Sequence, residues 1–540
     1  MSDIREFIIR TEDIRSEELL GLFVETERDS QIVNALKAPT PVILEGSRGT
    51  GKSLLLRVCE QQQLDTFDDL KVLPVYLSFS KSSLVHAGNS QMFQHWMLSR
   101  LCSRILRALY RSGLLSQHLP AASVLAGGQV QPSGQQTPLE RIAKDYENSY
   151  KNPGIEIDDS AIPDVEDFKD AIQEICEDTG IRRINILFDE AAHIFRPEQQ
   201  RQFFTLFRDL RSPYVTCNAA IYPGVTAYGD TFEATHDARI ESLNREISDP
   251  NYLSQMRDII FRQADSQLQK DIEKNGANFD ALAYAVSGNP RLLLKTIARA
   301  GRLQSSTVNA LIKEFFRTDI WSEHSGLSER YSGHTDLIDW GRNFVEEVII
   351  PDAIAKNKNW ALEGKSERTC YFWVHKDAPE AVREALRLLA YTGIVVRRDS
   401  GVVATRRELG TRFSINIGCL SAPDPYPIAF ISDLRNGLSI KRFTEYGAND
   451  PRFVELAASV GDRVETDLVE VIGEQLQKSV EVLDLSLHQK NALASIGVKT
   501  IGETLSSSEA QFQKAYYIGP KRSRQIMNTA TAAVLEYLSG

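Results

Sequence analysis

Pro41-Val42-Ile43-Leu44-Glu45-Gly46-Ser47-Arg48-Gly49-Thr50-Gly51-Lys52-Ser53-Leu54-Leu55-Leu56 decides the reading of this chain. An apolar run of β-branched and aliphatic residues predicts a buried strand, three glycines in six positions predict a tight turn, and the leucines after Lys52 open a helix. The turn fits the pattern G-x-x-x-x-G-K-[ST] from Gly46 to Ser53 without a mismatch. Glycine lets the backbone take conformations that a Cβ forbids, so successive amides can face one anion, and the helix behind them points its positive end the same way. The pattern therefore predicts a phosphate cradle made by Gly46, Ser47, Arg48, Gly49, Thr50, Gly51, Lys52, Ser53 and Leu54. Lys52 would reach the β- and γ-phosphates of ATP, and the Ser53 hydroxyl would ligate Mg²⁺. A plain strand-to-helix turn is the alternative, and the strand–turn–helix context argues against it.

A second stretch supports the first. Arg183-Ile184-Asn185-Ile186-Leu187-Phe188-Asp189-Glu190 is an apolar strand ending in two acids. An acid at the C-terminal end of a parallel strand beside a phosphate loop can hold a metal ion, and the next can polarise water. Asp189 is the expected metal ligand and Glu190 the expected catalytic base. Further strands are expected at 72–79 and 214–222, and their alternation with helices indicates a parallel sheet. On the strand at 214–222, Asn218 is the polar residue proposed for contact with the γ-phosphate or the lytic water. A satisfied core asparagine is the equal alternative.

With 540 residues the chain is long enough for about three to four domains. Its 42% hydrophobic and 25% charged residues are those of a soluble globular protein, and the acidic N-terminus has no signal-peptide core. No run approaches a membrane span, so a cytoplasmic protein without membrane contact is expected. Six scattered cysteines read as reduced, buried thiols, and the net charge of −11 argues against nucleic-acid binding by the whole surface. A local basic face remains compatible with it.

The expected division is a phosphate-loop base at 1–245, a helical lid at 246–330, a helical unit closing in a β-hairpin at 336–421, a connector at 422–480 and a small helical unit at 481–540. Residues 120–138 carry no charge and are rich in Pro, Gly, Ser and Gln, which predicts a flexible insert at about 113–160. In Ser287-Gly288-Asn289-Pro290-Arg291, Asn289 is a good N-cap and Pro290 suits the first helical position. Arg291 then opposes the helix dipole, which suggests that an anion is brought to it. Helices followed by a two-stranded wing suggest a winged helix. Arg397, Arg398, Arg406, Arg407 and Arg412 would decorate it, meeting phosphates or solvent. Near the end, 496–502 and 518–523 are glycine hairpins between short helices, able to present backbone amides to a DNA phosphate. From 484 to 540 six Lys/Arg stand against four acids, in a chain that is otherwise acidic.

Taken together, GSRGTGKS, INILFDE and SGNPRLLL resemble the AAA+ ATPases of the origin-recognition (initiator) type and their STAND-class relatives. That resemblance covers about 15–420 and implies an ATPase base, a lid whose Arg291 is a second sensor, and a winged helix. Asp189 and Glu190 fall on the family's Walker B acids. The strand at 214–222 lacks an obvious first sensor, and only Arg208 and Arg211 offer themselves as arginine fingers. LDLSLHQKNALASIGVKTIGETL and YYIGPKRSRQI are similar to the C-terminal helix-hairpin-helix domain of the bacterial RNA polymerase α subunit. This implies a bacterial source and a module that contacts DNA and docks on proteins. Asn491, Gly519 and Lys521 match its DNA-touching positions. His488 stands where the family has arginine, and Arg522 lies beside Lys521.

The expected fold is thus an α/β AAA+ ATPase domain with a parallel sheet, helical lid, winged helix and all-α helix-hairpin-helix end. The expected function is a Mg²⁺- and ATP-dependent switch acting on double-stranded DNA, with self-association into a homo-oligomer, in bacterial defence or a mobile element. The rival is a STAND-like signalling scaffold whose C-terminal modules bind protein. A small-molecule kinase is disfavoured by the paired acids.

Overall fold

The computed structural model describes residues 7–80, 92–115, 120–130, 136–149, 157–191, 197–223, 228, 232–456 and 473–539. The chain forms two compact bodies, one of residues 7–244 and 254–265 and one containing 245–253 and 266–540.

The first body is built on five strands: β1 (Val42–Glu45), β2 (Val72–Ser78), β3 (Arg183–Asp189), β4 (Val215–Ile221) and β5 (Arg239–Ser242). They pair in parallel throughout, in the order β2-β3-β4-β1-β5. All seven positions of β3 and of β4 are buried, as expected of central strands covered on both faces. The helices that cover the sheet include α1 (Glu27–Lys37), α2 (Lys52–Asp65), α3 (Met92–Arg111), α4 (Pro120–Ala126), α5 (Pro138–Asn148), α6 (Val165–Thr179) and α7 (Pro197–Asp209). On α3, Phe93, Trp96, Leu101, Ile105 and Leu109 recur at helical spacing and are all buried. The Trp96 ring centre lies 5.2 Å from that of Phe79, which stacks at 5.4 Å on Phe188 of β3. Truncating such an aromatic to alanine costs about 3–5 kcal/mol.

The charge-free stretch beginning at Pro120 is not an open loop. Ala121, Ala122, Leu125 and Ala126 of α4 are buried in the core of this body. Thr137 caps α5 in a capping box with Glu140. Lack of charge here reflects burial of small apolar side chains rather than flexibility. The parts of the expected insert at 116–119, 131–135 and 150–156 lie outside the described residues.

The second body includes helices α8 (Gly276–Ala285), α9 (Pro290–Ala300) and α10 (Ser305–Glu314). Beyond α11 (Thr335–Phe344) come β6 (Tyr371–His375), α12 (Glu380–Thr392), β7 (Val395–Val403), β8 (Leu409–Ile415) and β9 (Thr444–Tyr446). They form a four-stranded sheet in the order β7-β8-β6-β9. The sequence pattern reads 433–480 as helical and acidic with no clear assignment, but Thr444–Tyr446 is a strand, β9, which joins the sheet by pairing parallel to β6; 457–472 lie outside the described residues. Two of the expected surface arginines are structural. The Arg398 side chain is 4% exposed, donating to Ser414 Oγ and Glu246 at 2.9 Å each. Arg412 pairs with Asp399 and donates to the Ile440 carbonyl. Arg397, Arg406 and Arg407 are exposed.

At the end of the chain, α13 (Leu487–Ser495), α14 (Ile501–Leu505), α15 (Glu509–Phe512) and α16 (Pro520–Ser539) enclose a small core around Leu493, Ile501, Phe512 and Ile526. Within the second body α16 is tied to the sheet unit. Arg524 pairs with Glu509 at 2.6 Å and donates to the carbonyls of Asp377 and Ala448, while Asn528 accepts from the Glu380 amide.

Candidate nucleotide site

β1 ends at Glu45 and α2 begins at Lys52, so the intervening turn lies at the C-terminal edge of the sheet, where parallel sheets place ligands. Gly49 and Gly51 adopt φ of 91° and 102°, which an L side chain disfavours. A Cβ on Gly46 would overlap the Thr50 hydroxyl, which is itself spent on the Ser47 carbonyl at 3.0 Å. Lys52 is buried, and its ammonium folds back onto the carbonyls of Gly46 and Ser47 at 2.6 and 3.0 Å. It also stands 4.2 Å from the centre of the Tyr222 ring. Ser53 and Leu54 are half-buried at the start of α2, and Arg48 is exposed.

Asp189 ends β3 at the same edge and is 3% exposed. Its Oδ2 accepts from the Tyr76 hydroxyl at 2.6 Å and its Oδ1 from the Glu190 amide at 3.0 Å. Burial and the charge of Asp189 push the Tyr76 phenol well above its ordinary range, so it remains a donor. Glu190 holds a left-handed backbone, φ 52°, unusual for a residue with a Cβ and common where function demands it. Its carboxyl is raised, first by burial, then by the charges of Asp189 and Glu12, while Arg48 and Lys52 pull it down. Arg48 and Lys52 of the loop therefore lie close enough to Glu190 to act on its charge. A carboxylate at the strand end and a hydroxyl at the helix start are hard oxygen donors of the kind Mg²⁺ prefers.

Asn218 is not part of this site. Its Oδ1 accepts from the amide of Val42, the first residue of β1, at 2.8 Å. Its Nδ2 donates to Leu36 O and Asn185 Oδ1 at 3.0 and 2.8 Å. Asn185 in turn donates to Gln63 and Leu36 O. These contacts lie at the start of β1, away from the phosphate loop, and they satisfy buried amides that would otherwise be expensive. The catalytic role expected of Asn218 is thereby corrected to a structural one. Beyond β4 the residue that meets Lys52 is Tyr222, and on β2 the residue that meets Asp189 is Tyr76. Both were hidden in apolar runs, and only the parallel register Ser78 to Asp189 could have pointed to Tyr76.

Arg291 belongs to the second body, half-buried in the first turn of α9. Asn289 caps that helix by accepting from Leu292 N, and a Cβ on Gly288 would approach the Arg245 carbonyl to 2.8 Å. In the same body His488, Asn491, Gly519, Lys521 and Arg522 are all exposed. A bond of 3.1 Å from Gln489 to Gln525 lays the first turn of α13 against α16.

A phosphate loop and an acid pair at one edge of an all-parallel sheet fit an α/β domain of the P-loop nucleotide-binding class. Residues 8–119, which contain the phosphate loop, match a family model described as ORC-CDC6-like. Over 60 residues the chain is 38% identical to the DNA-directed RNA polymerase subunit alpha of Pelobacter propionicus, covering 11% of this chain and 18% of that protein. The solved structure of the Aeropyrum pernix ORC1 protein in complex with DNA superposes with a TM-score of 0.30 at 14% identity, over 79% of this chain and 97% of that one. Among the described residues no helix is long and apolar enough to cross a membrane.

Proposed function

We propose that this protein is a Mg²⁺-dependent, ATP-hydrolysing AAA+ switch of the origin-recognition type that couples its nucleotide state to DNA. The observation that carries the reading is the convergence of the Gly46–Ser53 loop, buried Asp189 and strained Glu190 at one sheet edge. The family match over 8–119 supports it. Bound Mg²⁺ would supply positive charge to the transferring phosphoryl group. Ser53 and Asp189 would hold that ion, and Tyr76 fixes the Asp189 carboxylate by its hydrogen bond. Lys52 would leave the Gly46 and Ser47 carbonyls for phosphate oxygens, and Glu190 would take a proton from the attacking water.

Arg291 would neutralise the γ-phosphate from a helical lid, so that loss of the phosphate releases the lid and reorients the modules attached to it. The α12–β7–β8 unit reads as a winged helix with Arg397, Arg406 and Arg407 available to phosphates. The helices from 487 to 539 read as a helix-hairpin-helix module with His488, Asn491, Gly519, Lys521 and Arg522 toward double-stranded DNA. The 60-residue likeness to an RNA polymerase α subunit supports that module. A bacterial cytoplasmic setting, a place in defence or a mobile element, and homo-oligomerisation belong to the same proposal.

A second reading, a STAND-like scaffold that docks protein, is favoured by one feature. Tyr516 and Tyr517 are 81% and 68% exposed beside the second hairpin, and Leu487 is 73% exposed, as in surfaces that bury aromatics against protein. Phosphate release by the purified chain, with and without double-stranded DNA, separates the two. The DNA reading expects DNA-stimulated turnover that is lost in Lys52→Ala and Glu190→Gln. Turnover indifferent to DNA transfers the C-terminal modules to the protein-docking reading.

A further inference from the structure

A second concave site lies in the first body, at the edge strand β2. It is a cavity of about 270 Å³ lined by Tyr76, Ser78 and Ser80, by Arg100, Arg104 and Arg107, and by Glu140 and Lys144. The three arginines are spaced i, i+4 and i+7 on α3, so one helix face presents them together. Lys144 comes from α5. Against these four cations the lining carries one carboxylate, Glu140, which pairs with Arg107 at 2.5 Å. Arg100 reaches Glu147 only at 3.4 Å, and its buried Nε has no hydrogen-bond partner among the described residues. Arg104 donates its Nε to the Tyr76 carbonyl at 2.8 Å. A guanidinium has five donors in a planar fork, and these contacts use only part of that capacity. Burial and the like charges of Arg111, Arg107 and Arg100 depress Arg104, against the pull of Glu60. An anion placed among them would relieve that repulsion.

We propose that this cavity binds a small phosphate anion, inorganic phosphate or pyrophosphate, at a site separate from the phosphate loop. No residue from 46 to 54 lines it. Guanidinium forks match phosphate oxygens in pairs. The volume falls below the roughly 300–1,000 Å³ of sites that take drug-sized ligands. The concavity suits a free anion better than the convex backbone of a duplex. The site is also wired to the nucleotide centre. Arg104 holds the carbonyl of Tyr76, whose hydroxyl holds Asp189. An anion that draws on Arg104 acts one residue away from the expected metal ligand. The inference stands on the cavity and does not require the ATPase reading.

The test titrates pyrophosphate by calorimetry into the full chain carrying Lys52→Ala, which disables the phosphate loop. One site is expected to remain. Arg100→Gln and Arg107→Gln, each added to that background, should weaken it at least about tenfold, the scale of one lost charged hydrogen bond of about 1.5–3 kcal/mol. Arg104 is spared because it holds a strand carbonyl. Lys144→Gln, on an exposed residue that cannot unfold the core, should also weaken binding. Absence of binding in the Lys52→Ala chain overturns the proposal. Unchanged affinity in all three variants overturns it too. So does binding of a short single-stranded DNA that the arginine variants abolish while pyrophosphate stays silent, which would assign the cavity to a nucleic-acid backbone.

Discussion

Glu190→Gln isolates the chemistry expected of the acid pair. The substitution keeps the shape and the left-handed backbone of a residue at φ 52° but removes the carboxylate that would accept a proton from water. General-base catalysis contributes about 10²–10⁴-fold, so turnover at saturating ATP should fall by about 2.7–5.4 kcal/mol in activation free energy. Nucleotide affinity should hold or tighten, because the carboxylate that Asp189 repels is gone. Phosphate release measures the first quantity and equilibrium titration with a fluorescent ATP analogue the second. A loss of turnover smaller than about tenfold, or a parallel loss of affinity, would refute the assignment of Glu190 as base. The pH dependence supplies an independent check. Burial and Asp189 raise the Glu190 carboxyl above 4.5, so the folded chain binds this proton more tightly than the unfolded chain. Its contribution to stability is full below the ordinary carboxylate range and is lost as pH rises through the raised value. Denaturation of the nucleotide-free wild type should show that decline above the ordinary range, and Glu190→Gln should lack it. Turnover needs the base form and should climb over the same interval.

Three further outcomes are expected from the packing. Asn218→Leu should destabilise the first body by about 1–3 kcal/mol, because Val42 N and Asn185 Oδ1 lose their partner, while turnover per folded molecule is kept; a drop in turnover at unchanged stability would restore Asn218 to catalysis. Gly46→Ala should abolish nucleotide binding through overlap with the Thr50 hydroxyl, and Thr50→Ala added to it should recover part of the affinity; equal loss in the single and double variants would contradict the steric cause. Arg524→Ala removes contacts to Glu509, Asp377 and Ala448 and should cost about 1.5–3 kcal/mol, read as faster hydrogen exchange along α16; unchanged exchange would mean that these contacts carry no stability.

Much of the candidate site was legible because its geometry is local. Gly49 and Gly51 need positive φ whatever surrounds them, and Lys52 and Ser53 come after the turn at fixed offsets. The apolar run that ends at Asp189 likewise announces a covered strand with an acid at its exit. The stretch 120–126 misleads for a related reason: composition separates charged from uncharged segments, but it does not say whether alanines and a leucine meet a core.

The sequence by itself determined the phosphate loop, the acid pair, the cap of α9 and the glycine hairpins, since each depends on neighbours a few residues apart. Only the tertiary structure decided that Asn218 serves the opposite end of the sheet, that Tyr76 holds Asp189, that Arg398 is buried against Glu246, and that three arginines of α3 close on one cavity. Those facts arise from strand order and register. β2 meets Asp189 because it pairs with β3 from Val72–Arg183 to Ser78–Asp189, and β4 separates β3 from β1. A shift of one residue would turn each of these side chains to the other face.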